Sequence, residues 1–451
     1  MEESKALNFT VRRRTPELIS PAKPTPRELK PLSDIDDQDW LRFQTPLIQF
    51  YRRDPKMADR NPATVIREAL AKLLVFYYPF AGRLREGPAG KLVVECTGEG
   101  VLFIEAEADV RVEELGEVIL PPFAYLEELL YDVNGSGDIL HSPLMLIQVT
   151  RLLCGGFIFA IRINHTMCDG SGMAQFMRAL AEMARGSPMP SIPHVWQREM
   201  LLARNSPRVT RTHHEYDEVA KTKGTTISSH DMIYRSFFFG PTELSILRNY
   251  IPTHLQSFST YELLSACLWR CRTIALQSDP EEQMRFILSI NARAKFKPHL
   301  PKGYYGNCIA FPIVLSTARD LFSKPLGHTI ELISKAKSYV NDEYMRSFID
   351  LTVIKGRPHF TSINSYFLTD LTNARFNEID FGWGKAAYGG TAKAINFSGI
   401  GNFLIPFTNK RGESEIAVPI CLPKPSMEIF VKELDNMLMK NTNIRLLTPK
   451  F

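Results

Sequence analysis

Glycine-bounded apolar runs of strand length alternate with stretches of helical spacing along this chain, and the alternation is interrupted between residues 205 and 230. A period of two marks half-buried strands and a period near 3.6 marks amphipathic helices, so the mixture indicates an α/β or α+β protein of two similar-sized layered domains. In the first half KLVVEC, VLFIEAEA, PLMLIQVTRL and CGGFIFAIRIN read as strands. Thr64 to Tyr78 places apolar residues at 65, 66, 70, 73, 74 and 77, a helix that Pro79 and Gly82 stop. Gly172 to Arg185 reads as a second helix, ended by Gly186 and Pro188. The proline-rich first forty residues read as an edge strand and a surface wrap, because proline removes donors from a ladder.

The second half opens with the strand IYRSFFFG and helices over Pro241 to Tyr250 and Thr260 to Leu276, the latter started by a Ser259–Glu262 capping box. Then follow the strand RFILSINA, the loop KPHLPKGYYGN, the strand IAFPIVL and a long helix through Arg319 to Met345. Strands YFLTDL, KAINF, NFLIPF and EIAVPICL precede a last helix, Met427 to Lys440. The expected division is residues 1–204 and 231–451, joined by a polar crossover at 205–230. The segment near 380–404 is expected to pack with the first domain.

With 451 residues, 44% hydrophobic and 23% charged, the chain has ample material for packed cores. A net charge of +5 spread over that length is too small for a dedicated nucleic-acid binder and suits an anionic small molecule. Seven cysteines, an odd number with no CxxC, fit free thiols in a reducing compartment. MEESKALNF carries no apolar signal region, and the longest apolar stretch, around Leu73 to Gly82, is well short of the roughly 20 residues that span a bilayer. A cytoplasmic chain is expected. LTPKF does not match the SKL address, and a weaker variant leaves a peroxisomal location open. No coiled coil calls for assembly, so a monomer is expected.

The chemistry concentrates at His165-Thr166-Met167-Cys168-Asp169-Gly170, where a hydrophobic strand gives out into a turn before a helix. A histidine there is held by rigid structure beside a cleft, and its ordinary pKa near 6.5 suits a general base. A core or turn histidine bonded to backbone is the equally weighted alternative. Asp169 is four residues on, but Gly170 and Gly172 argue for a turn, so a His–Asp relay is not required and a structural ion pair is as plausible. No GxSxG elbow occurs, Ser171 has the wrong flanks, and Cys168 is a poor nucleophile candidate because turn neighbours diverge. A lone base fits direct transfer between two bound substrates. Metal ligation is not expected: His213 and His214 are adjacent and diverge, and Cys267 and Cys271 belong to a core stripe. Phosphate loops of the GxxxxGK[ST] or GxGxxG kinds are missing, which excludes a nucleotide hydrolase or dinucleotide oxidoreductase. Asp380-Phe381-Gly382-Trp383-Gly384 reads as a tight turn pinning one segment to another.

HTMCDG at His165–Gly170 and DFGWG at Asp380–Gly384, with FYYPFAGRL at 76–84 and the Tyr305–Asn307 turn, resemble the plant BAHD acyltransferases over essentially the whole chain. The resemblance implies a chloramphenicol-acetyltransferase-like fold with a channel between two domains. It implies acyl-CoA as co-substrate with no permanently bound cofactor, and His165 midway along the channel as general base. It implies that Asp169 turns away and pairs with Arg293. It implies that DFGWG lies away from the reacting atoms and holds the domains together, with Asp380 in a supporting role and Gly382, Trp383 and Gly384 in an oxyanion or structural one. For CoA, Ser257, Ser259, Thr260 and Asn307 are the expected contacts, with Lys295, Lys297 and Lys302 as candidate partners for its phosphates. INHTMCDGSGMAQFM at 163–177, FYYPFAGRLREGPAGKLVVECTGEGVLFIEA at 76–106 and DFGWGKAAYGG at 380–390 look most like benzyl alcohol O-benzoyltransferases and related alcohol acyltransferases. Arg375 lies in TNARF rather than the SWxR setting of shikimate-acylating members, which favours a neutral alcohol. A hydroxycinnamoyl-CoA transferase and a catalytically silent accessory subunit are the alternatives.

Overall fold

The strand Phe157–Asn164 shows how the first layer is built. Its successive side chains point to opposite faces. Phe157, Phe159, Ile161 and Ile163 join one core with Leu70, Leu73 and Phe176, whereas Ile158 and Ala160 join another. In the computed structural model, which describes residues 9–116, 118–123, 125–219, 231–253, 257–395 and 400–438, this strand is central to a seven-stranded mixed sheet. Val11–Arg13, Val101–Ala108, Met145–Leu152, Phe157–Asn164, Gln44–Tyr51 and Tyr388–Thr391 lie side by side in that order, and Glu17–Ile19 also pairs with Val101–Ala108. Helices Pro62–Phe76 and Gly170–Ala184 cover one face.

The second sheet runs Met232–Phe239, Ser414–Pro423, Gly401–Thr408, Ser365–Asp370, Gln283–Leu288 and Ile313–Thr317. Helices Thr260–Ala275, Leu326–Tyr339 and Lys424–Met437 pack on it through Leu264, Leu268, Ile330 and Phe430. Ile405 and Ala417 of this sheet meet Ile48, Phe50, Ile158 and Ala160 of the first, so the two sheets share an apolar seam. Each fully buried isoleucine or phenylalanine of the seam contributes roughly 1.5–3 kcal/mol. The architecture is the expected mixed α/β class.

Four local readings differ from the structure. The helix expected through Arg319 to Met345 is three helices, Ala318–Ser323, Leu326–Tyr339 and Asp342–Ile354. Pro325 cannot continue the amide ladder, and Asn341 caps a fresh start by accepting from Tyr344 N. KAINF is not a strand over 393–395, and Asn396 and Phe397 lie outside the described residues. The strand is Tyr388–Thr391, whose paired glycines hid it: a Cβ on Gly389 would stand 2.7 Å from the Phe376 carbonyl. IAFPIVL divides at Pro312 into Ile309–Ala310 and Ile313–Thr317. The early chain does supply edge strands, but Ser33, Asp36 and Gln38 are buried rather than wrapped over the surface. Of the polar crossover, residues 220–230 lie outside the described set. In its described part His213 is buried against Glu215 and Ser347 while His214 turns to Asp217, so the two rings do diverge. No helix among the described residues is long and apolar enough to cross a membrane.

Candidate active site

His165 is the first residue past the Phe157–Asn164 strand, and antiparallel pairing of Gln44 with Asn164 brings Phe43 beside it. Its N–H donates to Phe43 O at 2.9 Å, and its carbonyl accepts from Asn307 Nδ2 at 2.8 Å. The Phe43 ring lies 5.1 Å from the imidazole, centroid to centroid. The side chain as a whole is half-buried, yet Nδ1 is buried and bonds to no other residue. Burial lowers the imidazole pKa below its ordinary value, opposed by the residue's own carbonyl and then by Asp169 and Asn307. With Nδ1 buried, Nε2 is the ring nitrogen left to meet a substrate.

The turn after His165 is locally determined. Asn164 Oδ1 accepts from Thr166 N and Oγ1, and Asp169 Oδ1 caps the following helix by accepting from Ser171 N and Gly172 N at 3.0 Å. Gly172 is required for a different reason: a Cβ there would stand 2.0 Å from the Tyr305 carbonyl. Asp169 also takes a bidentate pair from Arg293 at 2.8 Å and 2.8 Å, and Cys308 N at 2.9 Å. Burial would raise this carboxyl, but the Arg293 guanidinium and the N–H donors hold it below the usual range. Every donor on Asp169 therefore comes from elsewhere than the imidazole. Burial pushes the Cys168 thiol far up, so no thiolate stands ready beside His165.

DFGWG lies at the opposite end of the same strand. Trp383 packs edge-on to Phe157 at 5.3 Å, and Phe381 sits 5.0 Å from Phe159 and 5.6 Å from Tyr51. Eight strand positions separate Phe157 from His165, about 26 Å. Gly382, Trp383 and Gly384 are thus not brought to His165, and the oxyanion part of that expectation is corrected. What they build is a turn: Asp380 Oδ1 accepts from Gly382 N at 2.7 Å and Gly384 N at 2.8 Å, with φ of 114° and 83° at the two glycines. Tyr51 OH donates to Ile379 O and Arg185 to Asp380 O, tying the turn to the first half.

The expected CoA residues divide. Ser259 Oγ is engaged with Glu262 in the capping box, and Thr260 Oγ1 accepts from Arg248, while Ser257 is exposed. Asn307 is engaged through its amide hydrogens, which go to Asp36 Oδ1 and His165 O, both at 2.8 Å. Beside the Asp169–Arg293 pair, Ser171, Gln175, His299, Lys302 and Tyr304 line a hollow of about 300 Å³ that could admit a phosphate-bearing chain. A larger, mostly apolar hollow of about 340 Å³ lies along the Ile313–Thr317 edge strand and shares no residue with the histidine turn. Among the described residues no three His, Cys, Asp or Glu side chains are grouped to hold a metal ion.

The Transferase family model matches residues 9–437. Benzyl alcohol O-benzoyltransferase of Petunia hybrida is 59% identical over 455 residues, covering 99% of each chain, and that of Nicotiana tabacum 58% with the same coverage. The chain belongs to the Transferase family. It is an enzyme that transfers acyl groups, of the BAHD type. Alcohol acyltransferase 16 of Actinidia chinensis var. chinensis is 53% identical over 96% of this chain and 94% of that one. Among solved structures, vinorine synthase aligns with a TM-score of 0.72 at 19% identity over 95% of this chain and 98% of its own. TRI101 of F. sporotrichioides, complexed with coenzyme A and T-2, gives 0.66 at 18% over 90% and 97%. Both share the fold of this acyltransferase.

Two residues of the acyltransferase's site escaped the sequence reading. Asp36, in the acidic run SDIDDQD, is fully buried, and Arg198, in VWQREM, is its partner at 3.0 Å and 3.1 Å. Neither run differs in local pattern from a solvated surface stretch. Trp40, at the end of that acidic run, packs edge-on to Phe311 and Phe360, in one cluster with Ile287, Ile309 and Phe367.

Proposed function

We propose that this acyltransferase moves a benzoyl group from benzoyl-CoA to benzyl alcohol, forming benzyl benzoate by direct transfer with His165 as general base. The observation that carries the base is the ring's setting: Nδ1 is buried without an outside partner and the side chain keeps part of its surface open. Nε2 takes the hydroxyl proton as the alcohol oxygen attacks the thioester carbonyl. The tetrahedral intermediate collapses with loss of the CoA thiolate, to which the proton returns. Holding both substrates together supplies part of the rate enhancement. For the acceptor, the Phe43 ring beside His165 offers an aromatic surface, and Trp40, three residues before it in the chain, packs with Phe311 and Ile309 in an apolar cluster. Arg375, by contrast, is exposed and pairs with Glu378, which speaks against a carboxylate-bearing acceptor. Relatives at 58–59% identity named for benzyl alcohol and benzoyl transfer support the same pair. The reading keeps a two-domain enzyme divided at 205–230, a cytoplasmic monomer acting on small molecules with acyl-CoA as co-substrate and no nucleic acid.

CoA release is the direct test, with benzoyl-CoA offered benzyl alcohol, a straight-chain alcohol and shikimate in separate assays. Turnover should be highest with benzyl alcohol. A preference for shikimate or for hydroxycinnamoyl donors would move the reading to the hydroxycinnamoyl class, and no transfer across a wide donor panel to a silent subunit.

The pH profile follows from the sign of the histidine shift. Neutral imidazole is the active form, and burial makes it harder to protonate, so activity persists into acid. The acidic limb of kcat/KM should have its midpoint below the ordinary histidine value of about 6.5. A midpoint at or above that value would contradict the buried-base setting.

A further inference from the structure

We infer that Asp36, Arg198 and Asn307 are positioning residues for His165, a buried ion pair and an amide that grip the backbone of its turn alongside the Asp169–Arg293 pair. This rests on the reading of His165 as base. Four segments distant in sequence converge here. Arg198 is 1% exposed and Asp36 0% exposed. Arg198 Nη1 contacts both oxygens of Asp36, and the guanidinium lies 4.5–5.3 Å from the ring centroids of Trp196, Tyr304 and Tyr305. Asp36 Oδ1 accepts from Asn307 N at 2.9 Å and Nδ2 at 2.8 Å, and Oδ2 from Ser33 N and Oγ.

A buried ion pair is weak evidence for stability, since apolar residues of similar volume often serve as well. The spare donors are more telling, because they run to the histidine turn. Asn307 Nδ2 donates to His165 O at 2.8 Å, and Arg198 Nη2 donates to Met167 O at 2.7 Å. With Phe43 O on the His165 N–H, the base is bonded on both sides of its Cα. Consecutive amides of one segment thus meet two buried carboxylates: Asn307 N goes to Asp36 and Cys308 N to Asp169. The glycine before Asn307 has its reason here, since a Cβ on Gly306 would lie 1.3 Å from Arg198 Nη1. The network therefore sets where the imidazole stands relative to two bound substrates, and an error of about 1 Å in such placement can cost on the order of 100-fold in rate.

Asn307→Ala and Arg198→Lys in the full chain test this, with thermal unfolding of each. A single ammonium keeps a cation against Asp36 but cannot occupy both guanidinium positions. Both variants should fold and lose roughly 10- to 100-fold in kcat, with KM for acyl-CoA and alcohol within about twofold of the parent. Arg198→Lys is the deciding variant if Asn307→Ala does not fold, and Asn307→Ala if the reverse holds. If neither folds, the residues are structural and the positioning role is refuted. Unchanged kcat, or a rise in KM at constant kcat, also overturns it. His165→Ala is run alongside: full turnover there refutes the base itself, whereas loss there with normal kcat in the network variants refutes only the positioning.

Discussion

His165→Ala should lower kcat by about 10²–10⁴-fold, the usual contribution of a positioned acid or base, or roughly 3–5.5 kcal/mol of transition-state stabilisation. The fold should survive. Deleting the ring strands no buried partner, because Nδ1 bonds to no other residue, and the two backbone bonds to Phe43 and Asn307 involve atoms that alanine retains. The melting temperature should therefore stay within about 4 °C of the parent. CoA release and thermal unfolding measured on the same preparation decide the matter. Turnover within a few-fold of the parent, from folded protein, would remove His165 from the mechanism.

Arg293→Met should be the most destabilising of the substitutions considered, by about 3–5 kcal/mol, because it leaves the Asp169 carboxylate buried without its cation. Three backbone donors remain on that carboxylate, from Ser171, Gly172 and Cys308, so a second change that discharges it should restore part of the loss. Asp169→Asn combined with Arg293→Met is accordingly expected to be more stable than Arg293→Met alone, as read by denaturant midpoints. The pH sign is fixed by the depressed Asp169 pKa. The pair's contribution is fully present above the ordinary carboxylate range and is lost as pH falls through the lower folded value, so parent and single variant should converge only in strong acid. A double variant no more stable than the single one would show that the arginine matters for packing rather than charge.

Much of the architecture was readable from periodicity. The Phe157–Asn164 strand, the Gly170–Ala184 helix after it and the capped Thr260–Ala275 helix follow from side-chain alternation, helical spacing and a Ser–Glu cap, all local in sequence. Where the reading failed, a local signal was missing or masked. Gly389 and Gly390 concealed an edge strand, and the break at Pro325 was overlooked inside an otherwise helical pattern.

The sequence by itself determined that the chain is mixed α/β, that His165 ends a strand and that Asp169 lies in a turn, because these depend on neighbours within one or two helical turns. It also pointed to Arg293 through family resemblance, and the guanidinium does lie on that carboxylate. The resemblance set DFGWG away from the reacting atoms, and the tertiary structure fixed where: a strand's length from the histidine, against Phe157. It also placed the Asn307 amide on the His165 carbonyl and showed that Asp36 and Arg198 are buried together. The reason is physical: Asp36 and Arg198 are 162 residues apart, and a charged side chain reads as solvated until its distant partner removes it from water.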